Sequence, residues 1–278
     1  MFIFSQEFWL CTGQGEEGMR AYVVTGTTRG IGRALAEAVI ARNEQLLSLS
    51  SAPDRLEPMW HNLKCDLRDP ETLGVLLQRL LSSVSLDRIS HLVFINNAGV
   101  LAPMGPLDEA DAKGIIDHLQ VNQAAPAILM SAFIRLTATF SGSRRIINIS
   151  SGAAVHPYAG WAMYCGGKSA LDMMTLCAAA EQRTRSNPVR ICSIYPGKVE
   201  TDMQRAVRHS DPDKFPAQPQ FVMAKARGEL SPPGQVARAI IALDAADQFK
   251  NGCIYDLRTA TKHTQALEPV RTLPLNDG

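Results

Sequence analysis

Short apolar runs rich in β-branched residues alternate along this chain with longer segments whose apolar positions recur at helical spacing. AYVVT, Ala21 to Thr25, is the first such run, and it ends in TGTTRGIGRALAEAVIARN, a glycine-rich turn followed by a strong helical period. QLLSLS, Gln45 to Ser50, and NLKCDL, Asn62 to Leu67, predict the next two strands, and PETLGVLLQRLLSSV from Pro70 predicts an amphipathic helix. HLVFINNAG, His91 to Gly99, reads as a buried strand stopped by a turn, and the helical period returns from Asp108 to Phe140. RRIINISS, Arg144 to Ser151, is strand-like and YCGGKSALDMM, Tyr164 to Met174, helix-like; VRICSIYPG, Val189 to Gly197, is a strand that stops at Pro196. GQVARAIIALDAA from Gly234 predicts a last helix and GCIYDL a last strand.

This alternation predicts an α/β fold built on a doubly wound parallel sheet, with ligands bound beyond the carboxyl ends of the strands. Thr25, Asn96, Ser151 and Pro196 all fall at such ends. The stretch from Val199 to Pro233, with five prolines and little periodicity, is too long for an ordinary connection and is expected to be a lid over the substrate. The polar tail from Thr259 has no clear period and is expected to be loosely ordered.

Composition narrows the partners. At 278 residues and 46% apolar content the chain suits one globular domain. A formal charge of +1, from 28 basic and 27 acidic residues, provides no global field for nucleic acid or an anionic membrane, which leaves a small molecule as the expected partner. The six cysteines show neither disulfide-framework nor metal-ligand spacing, so a reducing, cytoplasmic compartment is expected. No apolar run approaches the roughly 20 residues that span a bilayer. The six histidines are isolated, and no metal is expected. MFIFSQEFWLC lacks the basic start and cleavage site of a signal peptide, and residues 1–18 are expected to be an extension outside the native fold, with Met19 as the natural start. The domain boundaries are therefore 1–18 extension, 19–258 catalytic domain and 259–278 tail.

The glycine-rich turn is the first chemical signal. Gly26, Gly30 and Gly32 would let the backbone turn tightly and approach a pyrophosphate near the positive end of the following helix, or serve simply as turn and packing glycines. No acid stands at the end of QLLSLS, where one would hold the ribose 2′-hydroxyl of NAD; Ser50 and Ser51 stand there, and Arg29 in the loop could meet a 2′-phosphate. NADP(H) is therefore favoured, the alternative being that Arg29 is a solvated charge and Asp54 takes the acidic role. Asp66 could accept from an adenine amino group or cap the helix near Asp69. The second signal is a serine at a strand end, Ser151, followed by Tyr164 and Lys168, which lie four residues apart and so on one helix face. Asn122, inside a helical segment, either bonds a neighbouring backbone group or has a functional role.

Taken together these residues resemble the short-chain dehydrogenase/reductase family from Met19 to about Asp256. The resemblance is carried by TGTTRGIG, NNAG at Asn96 to Gly99, Asn122, Ser151, the Tyr164/Lys168 pair, and Pro196 with Gly197. It implies a Rossmann fold in which Asn122, Ser151, Tyr164 and Lys168 are catalytic. Tyr164 would be the proton donor, Ser151 would polarise the substrate oxygen, Lys168 would lower the phenol pKa and hold the nicotinamide ribose, and Asn122 would support a water relay to Lys168. Ser150, on the opposite strand face, is expected to be structural. The resemblance further implies cofactor contacts from Gly26, Thr28, Arg29, Gly30 and Ile31, from Ser50, Asp66 and Leu67, from Asn97, Ala98 and Gly99, and from Pro196, Gly197, Val199 and Thr201.

Within the family, NISSGAAVHPYAGWAMYCGGKSALDMM is similar to the sepiapterin reductase and benzil reductase group. This implies reduction of a ketone or vicinal diketone by NADPH, with Asp256 anchoring the substrate and Trp161 at its mouth. The alternatives are a 3-oxoacyl-thioester reductase of the same family and a dinucleotide-sensing protein without turnover. Family likeness also implies a homodimer or homotetramer.

Overall fold

The computed structural model describes residues 18–259 and 268–272. The expected extension therefore lies outside the described residues except for Gly18, as does most of the tail. Strand β1 (Met19–Thr25) leads through the glycine turn into helix α1 (Gly30–Ile40) and strand β2 (Gln45–Ser50). A hairpin follows, β3 (Arg55–Glu57) and β4 (Trp60–Lys64), then α2 (Pro70–Leu81) and β5 (Ile89–Asn96). Next come α3 (Ala112–Leu119), a π turn (Gln120–Ala124) and α4 (Ala125–Leu136), then β6 (Ser143–Ile149), α5 (Ala162–Gln182) and β7 (Val189–Tyr195). Helices α6 (Asp202–Arg208), α7 (Gln218–Ala226) and α8 (Pro233–Ala245) precede β8 (Cys253–Asp256) and β9 (Pro269–Thr272).

The sheet runs β3-β4-β2-β1-β5-β6-β7-β8-β9. From β4 to β8 every pairing is parallel, while β3 and β9 close the two edges antiparallel. A parallel sheet buried on both faces explains why β2 is buried at all six positions and β1 at six of seven. On one face α2 and α4 pack Leu73, Leu77 and Phe133 against Leu47, Phe94 and Ile146. On the other, α1 and α8 pack Leu35, Val39 and Ile240 against Tyr22, Ile95 and Ile194. The strand order reverses at β1, which has β2 on one side and β5 on the other. There the connecting segments diverge and open a crevice at the carboxyl ends.

Four expectations are revised. The strand expected over Asn62–Leu67 is β4, which stops at Lys64, so Asp66 and Leu67 lie in the turn beyond it. The hairpin strand β3 was not expected; it is three exposed residues, held by Arg55 lying 4.3 Å from the Trp60 ring centroid. The Val199–Pro233 stretch contains α6 and α7, short helices whose prolines sit at their ends or between them, where they do no harm. Part of the tail expected to be loose is β9, which extends the sheet from β8. No described helix is long and apolar enough to cross a membrane.

Candidate active site

The crevice is a cleft of about 1030 Å³. Its floor on one side is backbone. Gly26 and Gly30 have φ of 74° and 57°, a region that disfavours side chains. A Cβ on Gly32 would overlap the Gly26 carbonyl oxygen, so the first turn of α1 can approach the loop only without one. Thr25 Oγ1 accepts from the backbone N–H of Asn97 and of Ala98, both at 3.0 Å, and Asn97 Nδ2 donates to the Thr25 carbonyl at 2.9 Å. These bonds lash the glycine loop to the NNAG turn across the switch point. Thr28 and Arg29 stand exposed at the rim, and no hydrogen-bond or ion-pair partner of the Arg29 guanidinium is present among the described residues. Thr201 caps α6 by accepting from the Gln204 N–H at 3.2 Å and packs against Gly30. Ile31, Gly99, Pro196, Gly197 and Val199 also line the cleft.

Ser151, Tyr164 and Lys168 line the same cleft. Tyr164 and Lys168 are both buried on α5. Burial holds the Tyr164 phenol above its ordinary pKa, and its hydrogen bond with Ser151 opposes that shift. The Lys168 ammonium stands 5.9 Å from the Tyr164 ring centroid and donates to the Ile149 carbonyl at 2.8 Å. Burial lowers Lys168 to about 8, with Asp172 pulling the other way. Asp172, one helical turn on, is buried and accepts from the Tyr195 hydroxyl at 2.5 Å. The Asp172 charge thus favours the ammonium, while burial pushes its own carboxyl up. The Lys168/Asp172 spacing was a legible signal for it, since residues four apart share a helix face.

Asn122 sits in the π turn, a feature often found at functional sites. Its side chain clamps the chain beyond NNAG: Nδ2 donates to the Val100 carbonyl at 2.8 Å, and Oδ1 accepts from the Val100 N–H at 2.9 Å. Nδ2 also lies 2.9 Å from Nε2 of His118, whose Nδ1 is 2.7 Å from the Ala102 carbonyl. Burial lowers the His118 pKa, and hydrogen bonds to the Ala102 and Met163 carbonyls oppose that shift. The amide thus holds the Val100 backbone through both of its polar atoms.

Several expected contacts stand away from the cleft. Ser50 is buried and donates to Asn62 Oδ1 at 2.8 Å, so its hydroxyl is committed within the sheet. Asp54 accepts from the Lys64 N–H at 2.6 Å. Asp66 is paired with Arg68, which holds its carboxyl down at about 2, and it does not cap α2, whose cap position is Asp69. Leu67 packs against the core under α2. Asp256 does not line the cleft: both of its oxygens are taken by Arg258, which does. One end of the cleft is aromatic. Trp161 is buried and stacked on Phe215 at 4.4 Å between centroids, with Tyr158 and Phe221 around it. Phe215 and Phe221 come from the segment of α6 and α7, and no local pattern marked them.

A family model described as short chain dehydrogenase matches residues 20–212. A benzil reductase ((S)-benzoin forming) from Bacillus cereus is 34% identical over 244 residues, 84% of this chain and 97% of its own. A sepiapterin reductase from Mus musculus is 33% identical over 258 residues, 86% of this chain and 97% of its own. A solved short-chain dehydrogenase/reductase from Saccharomyces cerevisiae superposes with a TM-score of 0.71 over 83% of this chain and 93% of that one; at 21% identity this is likeness of fold.

Proposed function

The chain belongs to the short-chain dehydrogenase family, and on that premise we propose that it is an NADPH-dependent carbonyl reductase acting on a small ketone or vicinal diketone. The observation that carries the proposal is the meeting of Ser151, Tyr164 and Lys168 with the glycine loop in one cleft. Pockets for small ligands span roughly 300–1,000 Å³, and a cleft of about 1030 Å³ has room for an extended dinucleotide with a small substrate beside it. The glycine turn suits a diphosphate, because it leads into the N-terminus of α1, where backbone N–H groups and the positive end of the helix meet an anion.

When bound, a reduced nicotinamide dinucleotide supplies the hydride. Ser151 donates a hydrogen bond to the carbonyl oxygen, which draws charge toward that oxygen, and Tyr164 gives it a proton as the alkoxide develops. The Lys168 charge favours the phenolate that remains. Ser151 holds the phenol by a hydrogen bond. The aromatic wall at Tyr158, Trp161 and Phe221 keeps water from the substrate end and accepts its hydrocarbon part. Arg29 supplies the positive charge that a 2′-phosphate would meet. The buried thiols Cys65, Cys192 and Cys253 suit a reducing, cytoplasmic setting, and family likeness suits a homodimer or homotetramer.

The test is NADPH oxidation against benzil, sepiapterin, simple aryl ketones and 3-oxoacyl thioesters, with NADH as control. Turnover of diketones or ketones with NADPH is expected; activity confined to thioesters would reject the proposal. Arg29→Ala should raise the KM for NADPH by about 10-fold, the scale of one charge-assisted contact, with a smaller effect on NADH. Equal effects on the two cofactors would remove Arg29 from 2′-phosphate binding.

A further inference from the structure

We infer that Arg258, steered by Asp256, selects vicinal diketones over simple ketones by donating a hydrogen bond to the carbonyl oxygen adjacent to the one being reduced. The inference rests on the carbonyl-reductase proposal and deepens it. Arg258 sits in the single 3₁₀ turn Leu257–Thr259 that follows β8, and it lines the cleft. Gly197 leaves the slot for its side chain. A Cβ at Gly197 would stand 3.0 Å from Arg258 Cγ, and one at Gly152 would stand 3.7 Å from Nη2. Gly152 directly follows Ser151, and Ser151, Gly152 and Arg258 line the same cleft. Tyr158, on the aromatic wall, is near enough to interact with its charge.

Arg258 is held rather than free. Its Nε donates to the two Asp256 oxygens at 2.9 and 3.0 Å, its Nη2 donates to Oδ2 at 2.5 Å, and its backbone N–H donates to Oδ1 at 2.9 Å. The Asp256 side chain is 8% exposed and that of Arg258 is 55% exposed, so the carboxylate lies beneath and the guanidinium faces the opening. A guanidinium is a flat fork of five donors. With the Nε and Nη2 edge spent on Asp256, the Nη1 edge remains, and nothing among the described residues accepts from it. Asp256 is thus a positioning residue for the donor and not itself a substrate contact.

The chemistry of this arrangement favours a neutral acceptor. The ion pair sums to zero charge, so it offers a directed N–H more than a positive field. A substrate carboxylate would also meet the Asp256 charge, whereas a carbonyl oxygen would not. Met104, Tyr158, Trp161 and Phe221 give the substrate end hydrocarbon and aromatic surface, with His156 and Gln220 as further polar lining. A 1,2-diketone presents two carbonyl oxygens on adjacent carbons: one would go to Ser151 and Tyr164, the other to Arg258. The same contact would decide which carbonyl is reduced.

Benzil and deoxybenzoin form a matched pair, the second lacking one of the two carbonyl oxygens. The ratio of their kcat/KM values with NADPH is taken within one preparation of each protein, so a partly misfolded fraction cancels. Arg258→Met is expected to lower the benzil-to-deoxybenzoin ratio about 10- to 100-fold, the scale for one hydrogen bond to a charged group, with an unchanged Kd for NADPH by fluorescence. Asp256→Asn, which unmasks the cation, is expected to raise kcat/KM for the anion benzoylformate relative to benzil by about 10-fold or more. A wild type that reduces benzil with an unchanged ratio in Arg258→Met, or a loss that resides in NADPH binding, overturns the inference and leaves the carbonyl-reductase proposal standing. No shift toward benzoylformate in Asp256→Asn overturns the positioning role. A wild type that reduces neither ketone nor diketone overturns both.

Discussion

The two walls of the cleft are built by different means. The cofactor-side wall is made of backbone: Gly26, Gly30 and Gly32, tied through Thr25 and Asn97 to the turn after β5. The substrate-side wall is made of side chains gathered from distant parts of the chain: Tyr158 and Trp161 before α5, Phe215 and Phe221 around α7, and Arg258 after β8. A backbone wall tolerates few residue types and so leaves a spacing in the sequence. A side-chain wall needs only enough aromatic volume in the right place, which many sequences can supply. The first wall therefore carries the spacing that identifies the family, and on the proposed function the second is where one substrate would be told from another.

The largest test falls on the group between the walls. Tyr164→Phe keeps the ring packed against Trp161, 5.3 Å away between centroids, and removes only the hydroxyl. Turnover is expected to fall about 10²- to 10⁴-fold, the range for a general acid, while NADPH fluorescence titration gives a wild-type Kd. Wild-type rates would remove Tyr164 from the chemistry. Gly32→Ala strikes the backbone wall. Its Cβ would overlap the Gly26 carbonyl, so the loop must shift. A stability loss of about 1–3 kcal/mol is expected from overpacking, together with NADPH binding weakened by at least about 10-fold. Calorimetry and titration would read the two effects, and an unaltered Kd would show that the cradle does not bind phosphate.

Much of the fold was legible because buried parallel strands are short aliphatic runs that differ in period from amphipathic helices. The site was legible where chemistry demands residue types at fixed spacing, as in Tyr164 and Lys168. Elsewhere the sequence was silent for physical reasons. Ser50 looked available at a strand end, but the pairing of β2 with β4 puts Asn62 opposite Ser48 and within reach of the Ser50 hydroxyl, and that register depends on two strands at once. Asp256 looked like an anchor, but the chain turns after β8 so that Arg258 folds back onto it. Helices α6 and α7 are 7 and 9 residues long, too short to show a period, and are held by packing against each other and the cleft.

Lys168 sharpens the comparison through pH. Burial brings the ammonium to about 8 from 10.5, whereas the Tyr164 phenol is pushed upward, so of these two groups the lysine loses its proton first. Carbonyl reduction needs that charge, and kcat/KM is expected to fall as pH rises through about 8, approaching 10-fold per pH unit. Stability moves the other way. Between about 8 and 10.5 the unfolded chain binds the proton that the folded chain has released, so this group makes the protein more stable as pH rises across that window. Lys168→Met should accordingly raise the melting temperature of the apoprotein near neutral pH while removing turnover. A lower melting temperature would mean that the bond to the Ile149 carbonyl outweighs the cost of burying the charge.

The smallest expected effect belongs to the side-chain wall. Phe221 is half-buried, with its centroid 5.3 Å from that of Trp161, and it lies on α7 away from the glycine loop. Phe221→Ala removes part of the aromatic surface but no group that donates or accepts a proton. The KM for an aryl diketone is expected to rise about 3- to 10-fold, from the loss of part of one aromatic contact, with kcat for that substrate and the Kd for NADPH close to wild type. If Phe221→Ala weakened NADPH as much as the diketone, the two walls would not be separable, and substrate choice would have to be sought in the glycine-loop half of the cleft.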